Sequence, residues 1–555
     1  MDAEATTIAE TSSAPRGRRA PRRRFWFLAA LAGIVSAAAL LAVAELAALL
    51  IARDGSPVLA VGSFVIDIVP RWAKEFAIET FGENDKVFLL ASIGLAVVVA
   101  SAIGGFLQYL RRPIGLVLFA VAGALAVVAI LTRTGSTILS AVPTVIGTIA
   151  GILILHLLIG RLLRWRQAAA TTAAVRSEPG AGDGATAAEG AGAVTTRPVG
   201  VERRRFLLMT VAVAVGSAVV GTGARVISAA TSSAAGIRDA LKLPAARTAV
   251  TVPEGAELDI PGLSPLYTPN AEFYRVDTAL TVPELDPETW ALKITGMVDE
   301  EVTLSFQDLV GMGLDEYSIT LTCVSNEVGG ALLGTAKWTG VPIRDVLARA
   351  GVQSGADMVL STSSDGFTAS TPLGSVTDDD LDAIFAVAMN GEPLPFEHGF
   401  PVRMIVPGLY GYVSATKWVT ELKVTTFEAD EAYWTPRGYS AEAPIKLSSR
   451  IDTPRVDKAV TAGPTKIAGV AWAQTVGIDR VEVSIDNGDW QQATLSTAVN
   501  IDTWVQWYVD WEATPGTHYV AVRAVDKAGK MQTEERAPIA PDGSSGWQRA
   551  LISVS

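Results

Sequence analysis

The sequence predicts a multi-domain protein with an N-terminal α-helical membrane domain of about five spans, an α+β domain and a C-terminal immunoglobulin-like β-sandwich. Of the 555 residues, 49% are hydrophobic and 18% are charged, and the mean hydropathy is +0.34. Residues 1–230 carry 22 Lys and Arg against 14 Asp and Glu, whereas the remainder carries 23 against 43. A basic, apolar half followed by an acidic half is typical of a membrane anchor joined to a soluble domain.

Apolar runs define the membrane domain. A helix needs about 20 apolar residues to cross a bilayer. Residues 25–164 contain four such runs, at about 25–52, 87–110, 113–132 and 137–163, and a fifth begins at Phe206. We therefore expect four transmembrane helices within 25–164 and a fifth within 203–230.

Arginine clusters predict the orientation of these spans. They occur in the basic tail 1–24, at Arg111 and Arg112, after the fourth run, and at 203–205 just before the fifth. Because basic residues accumulate on the cytoplasmic side, we expect the tail to be cytoplasmic. Residues after about 230 should then lie outside the cytoplasm of a multi-pass cell-membrane protein.

Two segments read as linkers. Residues 165–202 are rich in Ala, Gly and Thr without apolar periodicity, which predicts a flexible cytoplasmic linker. Residues 231–254 form a second linker. Between them, "RRRFLL" (203–208) is similar to a twin-arginine export signal, although an ordinary positively charged flank is the alternative.

Two β-rich domains follow, at 255–455 and 456–555. In the first, "WALKITGMV" (290–298) and "EVTLSF" (301–306) read as strands, and "TGVPIRDVLARAGV" (339–352) reads as a helix ended by Gly351. Residues 400–427 alternate apolar and polar residues, as β-structure does. Short strands at regular spacing after 456 predict the sandwich.

The chain has a single cysteine, Cys323, in "LTCVSNEVGG" (321–330). A lone thiol can be a small buried hydrophobe, or it can be a metal ligand or nucleophile. The residues alone leave these alternatives open. The acidic C-terminal half argues against a nucleic-acid partner, because phosphate contacts require clustered Lys and Arg.

Three segments resemble the molybdopterin domain of the sulfite oxidase family: "NAEFYRVDTAL" (270–280), "LTCVSNEVGG" with the residues after it, and "NGEPLPFEHGFPVRMIVPGLYGYVSATKW" (390–418). The C-terminal sandwich resembles the dimerisation domain of that family. The five-span half is similar to membrane-anchored bacterial members. The resemblance implies a molybdenum–molybdopterin cofactor within 255–455.

The resemblance also implies roles for individual residues. Cys323 would ligate molybdenum and be catalytic together with Arg275. His398, Arg403 and Lys417 would hold the pterin phosphate, helped by the backbone of Ala415 and Thr416. Further cofactor-binding candidates in the matched segments are Asn270, Phe273, Tyr274, Arg275 and Asp277, with Asp365 of "SSDGF" as a looser match.

The chain also departs from the family pattern. Val328, beside Glu327, stands where sulfite-oxidising members have an arginine five residues after the cysteine. The sequence contains no cytochrome domain. His156 is the only histidine in the predicted spans, either structural or part of a quinone site, so we expect no haem in this chain.

These observations predict an extracytoplasmic, membrane-anchored molybdenum oxidoreductase that transfers an oxygen atom or two electrons on a neutral oxo-compound such as an S-oxide. A sulfite dehydrogenase is the first alternative, and a non-catalytic membrane-tethered binding protein is the second. The expected partners are the lipid bilayer, a small-molecule substrate, a separate cytochrome or quinone-linked electron carrier, and a second copy bound through the C-terminal domain.

Overall fold

The computed structural model describes residues 22–51, 62, 85–132, 138–175, 199–231 and 234–555. The chain forms two compact units that divide at residue 231. We call them the helical unit and the β-rich unit. Residues 1–21 of the predicted basic tail and 176–198 of the predicted linker lie outside the described residues.

Among its described residues, the helical unit contains five helices that are long and apolar enough to cross a membrane. Their sequences are almost free of charge over at least 18 residues, so burial in lipid leaves few polar groups without hydrogen bonds. The helices are α1 Arg22–Ile51, α2 Asp85–Leu110, α3 Ile114–Leu131, α4 Ile138–Val175 and α5 Val199–Thr231.

Two of these helices begin or end away from the predicted limits. Helix α4 continues to Val175, and α5 begins at Val199 rather than near Phe206. The segment 165–202 is therefore helical at both ends. At its first end, Ala and Arg have high helix propensity and continue α4 beyond the apolar run. His156 lies on an exposed face of α4.

Glycines allow α1 and α2 to pack closely. A Cβ atom on Gly33 would lie 2.0 Å from the Ser101 carbonyl oxygen, and one on Gly105 would lie 2.2 Å from the Ala29 carbonyl oxygen. Backbones can approach this closely only where side chains are absent, as is common between membrane helices. In contrast, a Cβ on Gly94 of α2 would have no neighbour within 4 Å.

The β-rich unit contains both predicted β-rich domains, residues 255–455 and 456–555. Its helices are α6 Ala234–Ala240, α7 Phe306–Val310, α8 Ile343–Ala350, α9 Gly374–Thr377 and α10 Gly411–Ser414. The strands up to residue 425 are β1 Ala291–Gly296, β2 Val302–Ser305, β3 Asp315–Thr322, β4 Leu333–Pro342, β5 Met358–Ser363, β6 Thr368–Pro372, β7 Ile384–Met389, β8 Glu392–Pro393, β9 Arg403–Ile405 and β10 Val419–Thr425.

These ten strands form two sheets. One has the order β2-β1-β10-β5-β6, and β1 and β10 are parallel. The other has the order β3-β4-β7-β8, with β9 also paired to β7. Trp290, Leu292 and Phe385 belong to a core cluster that includes residues of both sheets. Burial on both faces explains why β7 (IFAVAM) is a continuous apolar run. The last five residues of β3 are also buried, although three of them are Ser or Thr.

Two four-stranded antiparallel sheets follow, β11-β12-β16-β15 and β14-β13-β17-β18. They share one hydrophobic core that includes Ile467, Trp507 and Val522. Trp472 and Trp504 form a separate buried cluster with Leu266 and Leu333 of the preceding domain. Their strands are β11 Ser448–Thr453, β12 Gly463–Trp472, β13 Ile478–Ile485, β14 Gln491–Gln492, β15 Thr494–Leu495, β16 Val505–Ala513, β17 Gly516–Asp526 and β18 Gln548–Val554.

Two predictions in the β-rich unit need correction. The helix predicted within 339–352, with Thr339 and Gly340 before it and Pro342 in its first turn, begins at Ile343, because Thr339–Pro342 pairs with β7 and continues strand β4. The segment 231–254, predicted as a linker, contains α6 and then packs along β3. The Thr248 carbonyl oxygen accepts a hydrogen bond from Glu316 N at 3.0 Å, and Arg247 pairs with Asp315.

We expect Gly105→Leu to destabilise the helical unit, because the added side chain must enter the backbone of α1. Overpacking of this kind costs about 1–3 kcal/mol. Heating the full-length protein in detergent and measuring the monodisperse fraction by size exclusion should show a lower midpoint. Gly94→Leu on the same helix is the matched control and should leave the midpoint unchanged. Equal midpoints for the two variants would contradict the close α1–α2 contact.

Candidate functional site

A solvent-open pocket lies in the β-rich unit, with about 920 Å³ of empty space when the open solvent at its mouth is included. It is lined by residues from four of the segments singled out in the sequence. Nine of the twelve candidate residues line it: Phe273, Tyr274, Asp277, Cys323, Asp365, His398, Arg403, Ala415 and Lys417. Residues more than 100 positions apart in the chain therefore converge on one pocket.

Cys323 enters this pocket directly after strand β3. Its side chain is buried, and its Sγ atom accepts a hydrogen bond from Ser325 N at 3.4 Å. Burial raises the pKa of the Cys323 thiol, and the Ser325 hydrogen bond opposes this effect. A buried thiol with a raised pKa is a poor nucleophile but an available soft ligand, since a bound metal favours the thiolate.

Three basic side chains meet in the same pocket around Gly399. His398 lies in a short 3₁₀-helix, Phe396–His398, Arg403 begins β9, and Lys417 precedes β10. Gly399 has φ +110°, and a Cβ atom there would lie 3.0 Å from Arg403 Cβ and 3.1 Å from Lys417 Cβ. A residue with a side chain would push these groups apart, so glycine permits the cluster.

Arg403 is the most unusual member of the cluster. It is 5% exposed, lies over the ring of Trp338 at 5.2 Å and donates only to the carbonyl oxygens of His398 and Ala415. Its Nε has no hydrogen-bond partner, and within the described chain it forms no ion pair with a carboxylate. Burial lowers the pKa of Arg403 to about 10. A buried cation without a counter-charge is costly, so it indicates an anion-binding site.

Lys417 has a carboxylate partner. Its Nζ donates to Asp277 Oδ2 at 2.7 Å, and the same oxygen accepts from Arg275 Nε at 2.8 Å. Burial lowers the pKa of Lys417 to about 8, although Asp277 raises it. Arg275, predicted as catalytic, does not line the pocket, and its side chain is 36% exposed. In this structure Arg275 acts through Asp277.

His398 is neutral near pH 7. Burial lowers the pKa of His398 to about 4, with the positive charge of Arg403 adding to the effect. Its Nε2 lies 3.0 Å from the Asn270 carbonyl oxygen, which can only accept, so Nε2 carries the proton. An anion placed beside His398 would raise this pKa and favour the charged form.

Three candidates have internal roles. Asn270 does not line the pocket and holds His398 through its carbonyl oxygen. Thr416 is buried with its Oγ1 atom 2.7 Å from Ser361 Oγ. The Ala415 N–H donates to the Gly411 carbonyl oxygen at 3.0 Å, so this amide is not free for the phosphate as predicted.

An aromatic wall of the pocket, not among the predicted site residues, is made by Tyr412, Trp434 and Tyr439. The ring centroids of Tyr412 and Tyr439 are 5.6 Å apart, and those of Trp434 and Tyr439 are 5.2 Å apart. The aromatic-rich stretch "EAYWTPRGYS" (431–440) was the available signal. The remaining lining residues are Val276, Thr278, Leu321, Val324, Ser325, Ser363, Phe367, Gly411 and Trp418.

Val328 does not line the pocket, and neither does Glu327, which is exposed. Both lie in the turn beyond Cys323. The absence of an arginine at position 328 therefore says little about the charge of this pocket. The lining itself is more informative, because its basic residues are the three around Gly399.

The pocket fits the cofactor that the sequence resemblance implies. The buried thiol of Cys323 supplies one soft ligand for molybdenum. The buried Arg403 guanidinium, with Lys417 beside it, supplies the positive charge that a phosphate requires. Asp365 and backbone groups at the wall can accept hydrogen bonds from a pterin ring.

Comparison with known families agrees with this assignment. A model of the oxidoreductase molybdopterin-binding domain matches residues 279–434, and a model of the Mo-co oxidoreductase dimerisation domain matches residues 441–540. The first match contains Cys323 and the cation cluster, whereas the segment that carries Asn270 to Asp277 precedes it. The matched domain indicates a molybdopterin cofactor.

Curated relatives include mitochondrial sulfite oxidase from Mus musculus, 30% identical over 370 residues, covering 57% of this chain and 67% of the relative. The Homo sapiens protein is 30% identical over 341 residues, covering 52% and 62%. This chain thus spans less than two thirds of the human relative. The sulfane dehydrogenase SoxCD from Paracoccus pantotrophus is 23% identical, covering 55% of this chain and 88% of that one, at a TM-score of 0.47, which is too low to support an argument. Because the chain is 30% identical to the mouse protein over 67% of that protein's length, and because both domain models match, the chain belongs to the sulfite oxidase family.

Proposed function

We propose that this protein is a membrane-anchored, extracytoplasmic molybdenum-cofactor oxidoreductase whose molybdenum is held by Cys323. The convergence of a buried thiol and a buried, unpaired arginine on one pocket is the observation that carries the proposal. These are the two groups that a metal–dithiolene cofactor with a phosphate requires. A non-catalytic binding protein would need neither a buried thiol nor a buried, unpaired arginine in this pocket.

When bound, the cofactor supplies a metal that exchanges two electrons, or an oxygen atom, with the substrate. The protein supplies the rest. Arg403 and Lys417 would hold the phosphate by charge-assisted hydrogen bonds in a site of low dielectric. Asn270 orients His398, and Asp277 and Arg275 orient Lys417. Each basic side chain is thereby held in place before the cofactor binds.

Tyr274 is close enough to both Cys323 and Arg403 to interact with each electrostatically. Burial raises the pKa of Tyr274, the Cys323 charge raises it further, and Arg403 opposes this. Its phenol therefore stays protonated at neutral pH. Within the described residues its hydroxyl makes no hydrogen bond to protein, so it can donate one to the bound cofactor or substrate.

The substrate is a neutral oxo-compound such as an S-oxide. Near Tyr412, Trp434 and Tyr439 the pocket wall is aromatic, whereas the basic residues of the lining are committed to the phosphate. Aromatic faces bind apolar substituents well and do not compensate the desolvation of a dianion. Residues 231–555 also contain 20 more acidic than basic residues, and this negative charge disfavours the approach of anions.

A sulfite dehydrogenase is the alternative within the same class, favoured by the sulfite oxidases among the relatives. Sulfite is an anion, and an anion site near Cys323 would need a further cation. A second copy of the chain could supply one. The two proposals differ in the charge of the substrate, which makes them separable by assay.

The five long apolar helices support anchoring in a membrane. The arginine distribution supports placement of the β-rich unit on the extracytoplasmic side of a bacterial cell membrane. Electrons would pass to or from a separate carrier. The matched dimerisation domain, an immunoglobulin-like sandwich in this proposal, supports a homodimer.

Cys323→Ser should abolish turnover while the pterin content of the purified protein stays near that of the wild type. The serine hydroxyl is a hard, weakly acidic ligand, whereas the phosphate site is intact. Molybdenum and pterin contents are measured beside activity with an artificial electron carrier. Full activity of this variant would refute the ligand role of Cys323.

Arg403→Met should lower cofactor content several-fold and raise the thermal stability of the cofactor-free protein. Methionine removes a buried charge that has no partner until the cofactor binds, a change worth on the order of 1 kcal/mol. The control is Arg344→Met, which removes a partly exposed arginine paired with exposed Asp379. Cofactor content unaffected by Arg403→Met would place the phosphate elsewhere.

Steady-state assays should show turnover of neutral S-oxides and poor turnover of sulfite. Trp434→Ala should lower kcat/KM for an S-oxide about 3- to 10-fold, the usual effect of one aromatic contact. Trp490→Ala in the C-terminal sheets is the control. Saturable sulfite oxidation at micromolar concentrations, without turnover of neutral oxides, would instead establish the alternative.

Fusions to a reporter that is active only outside the cytoplasm should be inactive after residue 180 and active after residue 250. The expectation follows from the position of every arginine cluster on one side of the spans. An inactive fusion at residue 250, with the protein intact on a blot, would overturn the extracytoplasmic placement.

A further inference from the structure

The loop that carries Cys323, residues 323–332, is closed by its own hydrogen bonds. Cys323 N donates to the Leu332 carbonyl oxygen at 2.9 Å, and Leu332 N donates to Asn326 Oδ1 at 2.8 Å. Asn326 N donates to the Cys323 carbonyl oxygen at 3.0 Å. We call this segment the Cys323 loop. It is a compact unit, so a contact on its far side can shift the thiol.

The far side of the loop is held by the C-terminal sheets. Ser544 Oγ donates to the Asn326 carbonyl oxygen at 2.7 Å, and an Arg450 Nη donates to the Gly330 carbonyl oxygen at 3.0 Å. Gly329 has φ +84°, and a Cβ atom there would lie 2.8 Å from Gln548 Nε2. Three residues beyond 440 thus lie against three positions of the loop, Asn326, Gly329 and Gly330.

Two of these three contacting residues are themselves anchored by hydrogen bonds. Arg450, in β11, is 9% exposed and donates to Asp452 Oδ1 at 2.6 Å and to Ser264 Oγ at 2.8 Å. Gln548, in β18, accepts from Ile451 N at 2.6 Å. Their positions are therefore set by the sheets and do not follow the loop.

The strand leading into the loop is held by the same domain. Thr320 N in β3 donates to the Asp502 carbonyl oxygen at 3.0 Å, and Thr320 Oγ1 accepts from Trp504 N at 2.9 Å. The edge of β3 that does not pair with β4 is thus hydrogen-bonded to residues of the C-terminal domain. The strand before Cys323 and the loop after it are therefore both held by the C-terminal domain.

We propose that the C-terminal sheets set the position of the Cys323 sulfur in the pocket, with Ser544 and Arg450 as positioning residues. This inference rests on the proposed role of Cys323 as molybdenum ligand. A thiolate displaced by a fraction of an ångström would bind the metal with a different overlap of the sulfur and metal orbitals. Loss of a positioning contact therefore changes the metal centre without removing the cofactor, which is bound through its phosphate elsewhere.

The test compares Ser544→Ala with Ser545→Ala in the full-length, cofactor-loaded protein. Ser545 Oγ also donates to a backbone carbonyl oxygen, that of Glu535, at 2.8 Å, but this bond lies within the C-terminal domain. Ser544→Ala should leave molybdenum content unchanged, alter the electron paramagnetic resonance spectrum of the metal and lower kcat about 3- to 10-fold, as expected for one lost hydrogen bond. Ser545→Ala should change none of these, and Ser544→Thr should restore the spectrum.

Hydrogen–deuterium exchange gives a readout that does not depend on the metal. Amides of 324–332 should exchange faster in Ser544→Ala and in Gly329→Ala, whose methyl group pushes against Gln548, than in Ser545→Ala. Identical exchange and spectra in Ser544→Ala and Ser545→Ala would overturn the proposal. A wild-type metal spectrum in Cys323→Ser would instead overturn the ligand role, so the two failures are distinguishable.

Discussion

Burial of the Arg403 guanidinium without a carboxylate is the constraint around which the pocket is organised. A charge in this position is tolerated because Trp338 lies against its face and two carbonyl oxygens accept its hydrogen bonds. These contacts offset only part of the desolvation cost. A bound phosphate would supply the missing counter-charge, and cofactor binding would then raise folding stability through this one side chain.

The other basic residues show why a single arginine carries this role. Lys417 shares its charge with Asp277, and His398 loses its charge through burial and through the field of Arg403. The net positive potential of the cluster thus comes chiefly from Arg403, while its neighbours supply shape and hydrogen bonds. Gly399 makes the arrangement sterically feasible.

The pocket draws on separate parts of the β-rich unit. The thiol comes from the β3–β4 connection, the cations from the segments around β9 and β10, and the aromatic wall from residues 412–439. The C-terminal sheets hold both flanks of the thiol. The domain that matches the dimerisation model therefore also contacts the loop of the pocket thiol through hydrogen bonds.

Some features followed from the sequence alone. Five helices could be counted from apolar run lengths, because crossing a bilayer sets a minimum length that needs no tertiary information. The residue types of the site, and nine of the residues that line it, could be named because eight lie in three motifs that resemble one family and the ninth, Asp365, lies in a looser match. Tertiary structure decided the rest. Thr339–Pro342 became strand through pairing with β7, Arg275 was placed behind Asp277, Val328 was placed outside the pocket, and three distant aromatics formed a wall. Such outcomes depend on which strands pair and which side chains meet across them, and the local spacing of residues does not encode those contacts.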